Sequence, residues 1–91
     1  MSRLRQPLPL PRASDIGDAA ARELYEVGRA LRADGEMVGA LEKFRAADAR
    51  LPGNPRILYE IASSYATMGL NDKAALFWTQ IRDLGPEAAG D

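Results

Sequence analysis

Residues 22–27 read RELYEV and residues 56–61 read RILYEI, two strings that stand 34 positions apart. Extending outward from them, residues 21–54 lie on residues 55–88 without a gap. Seven pairs are identical across that shift: Arg22/Arg56, Leu24/Leu58, Tyr25/Tyr59, Glu26/Glu60, Gly35/Gly69, Ala40/Ala74 and Pro52/Pro86. Val27/Ile61, Gly28/Ala62 and Phe44/Trp78 keep their character. Repetition at this period marks a supersecondary unit that cannot bury its apolar face alone and must stack on a neighbour.

Within each copy the apolar spacing is helical. Leu24, Val27, Gly28 and Leu31 form one stripe, which Gly35 breaks. Met37, Ala40, Leu41, Phe44 and Ala47 predict a second helix over 36–51, stopped by Pro52-Gly53. Asn54 is a good N-cap and Pro55 suits the first turn of a third helix, whose stripe is Leu58, Ile61, Ala62 and Tyr65. Gly69 stands where a left-handed cap is needed. Asn71 or Asp72 is the expected cap of a fourth helix over 72–84, with Gly85-Pro86 as its stop. No segment reads as a strand. The expected fold class is therefore all-α, two tandem helical hairpins. The stretch 65–78, YATMGLNDKAALFW, places a glycine before Lys73, but a phosphate loop wants more glycines and a strand leading into them. It reads as a turn entering a helix.

The pattern resembles the tetratricopeptide repeat (TPR) family: a large then a small residue in helix A, a turn glycine, a small residue and an aromatic in helix B, and a closing proline. The first copy supplies Leu24, Gly28, Gly35, Ala40, Phe44, Ala47 and Pro52. The second supplies Leu58, Ala62, Gly69, Ala74, Trp78, Ile81 and Pro86. Leu24 and Leu58 depart from the family's frequent early tryptophan, and Ile81 from its second small residue in helix B. The small residues allow close helix approach, and Phe44 and Trp78 are expected to fill the core beside them. Burying such an aromatic contributes about 3 kcal/mol, and truncating it to alanine costs about 3–5 kcal/mol.

Residues 1–17 hold Pro7, Pro9 and Pro11 and read as an extended arm ahead of a repeat domain over 18–88. Those prolines are two apart, whereas a P-x-x-P ligand wants three. Residues 89–91 read as a tail or the start of a truncated third repeat. The arm makes a poor signal peptide, and no apolar run reaches membrane-spanning length, so the default expectation is a cytoplasmic protein with no membrane partner.

The 91 residues are 46% hydrophobic and 27% charged with a net charge of −1, which suits one small globular domain and gives no global pull toward nucleic acid. With no cysteine and no histidine, the chain lacks a thiolate nucleophile, the commonest metal ligand and the commonest general base. No cofactor, metal site or enzymatic activity is expected.

The resemblance implies a protein-interaction module whose A helices line a concave groove. Its groove-facing residues would be Arg22, Tyr25, Arg29 and Arg32 from the first copy and Arg56, Tyr59 and Ser63 from the second. Spacings of three and four put each set on one helical face. Arginine forks bind carboxylates bidentately and tyrosine adds contact area, so an acidic peptide or protein is the expected partner. The alternative is a solvated face paired with Glu23, Glu26 and Glu60. A chaperone-tail clamp is not supported, because Tyr25, Arg29 and Glu60 occupy clamp positions and a third repeat is missing. A second expectation is structural: Phe77, Ile81 and Leu84 share one edge of the last helix, which in a longer array would receive the next A helix. That edge predicts either a fragment of a longer repeat protein or self-association as a homodimer or solenoid segment.

Overall fold

Four helices fill residues 16–84, the part of the chain that the computed structural model describes: α1 Ala19–Ala33, α2 Met37–Arg50, α3 Pro55–Thr67 and α4 Asn71–Asp83. They form two helical hairpins. α1 packs on α2, α3 on α4, and α2 meets α3 along the seam between the hairpins. Most of the proline-rich arm, the Gly85-Pro86 stop and the 89–91 tail lie outside the described residues. The end of the arm does not: Ile16 is fully buried in the core ahead of α1.

The two turns inside the hairpins are built alike. Gly35 and Gly69 adopt φ +84° and +79°, the left-handed region that a side chain disfavours. In the first turn Glu36 N–H donates to Leu31 C=O at 2.8 Å and Gly35 N–H to Arg32 C=O at 3.0 Å. In the second Leu70 N–H donates to Tyr65 C=O at 2.9 Å and Gly69 N–H to Ala66 C=O at 3.0 Å. These are paired Schellman closures. They correct the expected cap of the last helix. The closure makes the residue after each glycine both the end of one helix and the cap of the next. Leu70 is therefore the N-cap of α4, with no side-chain bond, and Asn71 is already helical. At α3 the expected cap holds: the Asn54 side chain accepts from Arg56 N–H and Ile57 N–H at 2.9 and 3.2 Å, with Pro55 in the first turn.

The core cluster joins Ile16, Tyr25, Phe44, Ile57, Ile61 and Tyr65 with alanines from α1, α2 and α4. At Gly28 helix approach leaves no room for a side chain, since a Cβ there would stand 2.6 Å from Phe44 Cε1. α3 is the central helix. Ile57, Leu58, Glu60, Ile61, Ala62, Ser64 and Tyr65 are all buried on it, because the first hairpin covers one side and α4 the other, with Tyr25 and Arg32 of α1 over Glu60. α1 has only one hairpin partner, and Ala21, Tyr25 and Gly28 are its buried residues.

That asymmetry corrects three expectations. Trp78, expected in the core as the equivalent of Phe44, is 39% exposed, while Phe44 is at 0%. Val27, expected on the buried stripe, is exposed, whereas its equivalent Ile61 is buried. Phe77, expected on an open edge, instead stacks on Tyr65 inside the hairpin, with ring centroids 5.8 Å apart. In each case the second copy is covered on α3's side by the first, and the outer sides of α1 and α4 meet no helix among the described residues.

Candidate functional site

The A-helix face is organised around one carboxylate. Glu60, read from sequence as part of a solvated or ion-paired surface, is 4% exposed. Arg32 Nη1 donates to its Oε1, and Arg32 Nη2 donates to Ser63 Oγ at 2.7 Å. Arg56, one turn earlier on α3, brings Nη2 to 3.6 Å from Glu60 Oε2. Arg56 Nε also donates to Tyr25 Oη at 2.6 Å, and that hydroxyl donates to Glu60 Oε2 at 3.5 Å. A carboxylate taken out of water is tolerable only with such charged and hydrogen-bonding partners.

Tyr25, expected on the open groove face, is fully buried as the wedge between α1 and α3. Arg29 lies 5.9 Å from its ring centroid and Arg56 6.0 Å. Arg56 also stands 5.7 Å from the Tyr59 ring. The residues Tyr25, Arg29, Arg32, Arg56, Tyr59 and Ser63 are thus brought together on one face. Arg22 is exposed on α1, one turn before Glu26. Arg22 and Arg29 form no ion pair among the described residues.

Sequence reasoning missed that Arg32 and Arg56 are partly spent on an internal acid. The available signal was the Arg56–Glu60 spacing of i,i+4, which favours an ion pair on a helix. Its burial was not visible, because it depends on α1 lying over α3.

The last helix presents a second surface. Ile81, expected on the assembly edge, is 7% exposed and belongs to the core, while Leu84 is 47% exposed. With Phe77 stacked inward, the outward aromatic is Trp78, whose indole meets Tyr59 edge-on at 5.4 Å between centroids. The equivalent pair in the first copy, Tyr25 and Phe44, lies 6.0 Å apart and is wholly buried. At the opposite end, Ala20, Glu23, Leu24, Val27, Lys43 and Arg50 line a hollow of about 410 Å³. Among the described residues, no helix is long and apolar enough to cross a membrane, and no cluster of acidic side chains could hold a metal.

No family model matches the chain, and no curated protein or solved structure matches it.

Proposed function

We propose that the chain is a non-enzymatic, tetratricopeptide-type interaction module whose A-helix face receives an acidic segment of a protein partner. The repeat at 34 residues and the glycine-turned hairpins support that family reading. The observation that carries the binding reading is an excess of positive charge. Among the described residues, Glu60 is the one carboxylate bonded within a face that holds Arg29, Arg32 and Arg56 beside two tyrosine rings. Arg29 and Arg22 add free guanidinium groups to a protein whose net charge is −1. Prearranged arginine forks beside aromatic faces suit a peptide carboxylate.

Fluorescence anisotropy with a Glu-rich peptide tests this, with an isosteric Gln-rich peptide as control. The Glu-rich peptide should bind more weakly as salt rises. Arg22→Ala and Arg29→Ala lie outside the internal ion pairs, and each should weaken binding by about tenfold, the worth of one charged hydrogen bond. Equal binding of both peptides, or indifference to salt, would refute the reading.

A second reading, a structural self-assembly unit, has its own support in the exposed Trp78, which meets Tyr59 edge-on. Its test is the concentration dependence of the protein's mass.

A further inference from the structure

We infer that two copies of this chain stack head to tail, the α4 end of one seating on the outer face of α1 of the next, as the second hairpin seats on the first. This rests on the self-assembly reading and adds to it the faces and the polarity of the contact.

The template is the interface inside the chain. There, Tyr25 and Phe44 of the first hairpin are covered by α3, whose Arg56 and Glu60 hold the Tyr25 hydroxyl and whose Ile57 and Ile61 join the same buried cluster as Phe44. The second hairpin repeats the receiving half: Tyr59 and Trp78 stand 34 residues after Tyr25 and Phe44, paired at 5.4 Å, with Tyr59 half-buried and Trp78 exposed. The covering half is repeated on α1. Arg22, Glu26, Val27 and Ala30 occupy the places of Arg56, Glu60, Ile61 and Ser64, and all four are exposed. Arg22 and Glu26 of the next copy would thus hold Tyr59 as Arg56 and Glu60 hold Tyr25.

Shape agrees. Trp78 stands out from the α4 end, and the hollow of about 410 Å³ at the other end is lined by Leu24 and Val27, whose equivalents Leu58 and Ile61 are buried. Glu23 takes the place of the buried Ile57, which would leave an acid at the contact, beside Lys43 and Arg50 of the same hollow. The two faces differ, so the contact is heterologous and propagates rather than closing on itself as a two-fold dimer.

Sedimentation equilibrium on the full chain tests the inference with Trp78→Glu, which disables the α4 end, and Val27→Glu, which disables the α1 end. Both positions are exposed, and circular dichroism should show unchanged helicity. The unaltered protein should gain mass beyond a dimer as concentration rises. Each variant alone should associate at least about tenfold more weakly, as expected for loss of an interface anchor. An equimolar mixture should form a dimer of one copy of each and stop there, because only one compatible pair of faces remains. A Val27→Glu protein that still dimerises would overturn head-to-tail stacking and leave a symmetric α4 contact. A monomeric unaltered protein at all concentrations would overturn self-assembly as well, with the peptide-binding reading untouched.

Discussion

Glu60 is the residue on which the two hairpins agree. It takes hydrogen bonds from Arg32 and Tyr25 on α1 and pairs with Arg56 on its own helix. Glu60→Ala leaves two partly buried guanidinium groups facing each other without an anion. The expected loss is about 3 kcal/mol, at the low end for a broken buried pair because both arginines keep some contact with water. Glu60→Gln should lose less, since it still accepts hydrogen bonds; urea unfolding of both variants measures the difference. Gly28 presents a contest between two effects. Alanine there gains about 1 kcal/mol in helix propensity. Its Cβ also falls 2.6 Å from a rigid, fully buried ring, and overpacking of that kind costs about 1–3 kcal/mol. Gly28→Ala should therefore destabilise by about 1 kcal/mol net, and Phe44→Leu in the same background should recover part of that loss.

At the level of the helices, α1 begins on Asp18, whose carboxylate accepts from Ala21 N–H at 2.9 Å with Arg50 Nε 3.5 Å away. The Ala21 hydrogen bond, aided by Arg50 and opposed by burial, lowers the Asp18 pKa from its ordinary value. A carboxyl lowered in the folded state stabilises fully above its unfolded value, about 3.9, and that contribution disappears as pH falls through the folded value. Asp18→Asn keeps a capping side chain but not the charge. Its melting temperature should lie below that of the unaltered protein at neutral pH, and the two should converge in acid. A constant gap across pH would count against this account. The helices themselves were largely legible in the sequence. Gly35, Gly69 and Asn54-Pro55 punctuate it where the backbone needs left-handed turns and a cap. The face of each helix was harder to read. A helical wheel separates an apolar stripe from a polar one, but α3 buries two faces, and its second interface is built from Tyr25, Arg32, Arg56 and Glu60, residue types that look solvated in a sequence. The spacing therefore brought Arg29, Arg32, Arg56, Tyr59 and Ser63 to one face, while Tyr25 was placed in solvent and the neutralising role of Glu60 was missed.

Across the whole molecule, the same repeat position has two different energetic meanings. Phe44 is covered by the following hairpin and Trp78 is not. Phe44→Ala should cost about 4 kcal/mol, whereas Trp78→Ala should cost the isolated chain about 2 kcal/mol, since more than a third of the indole already meets water. Measured in dilute solution, equal losses would mean that Trp78 is covered after all. The helix-to-helix contacts are also unequal. α1 with α2 and α3 with α4 are broad, and the α2–α3 seam is narrower than either. Each broad contact joins neighbours along the chain, whereas the seam joins the two repeats. Under a pulling force applied at the ends, the protein has a line of weakness: the seam should tear first, baring the apolar face that neither hairpin can bury alone.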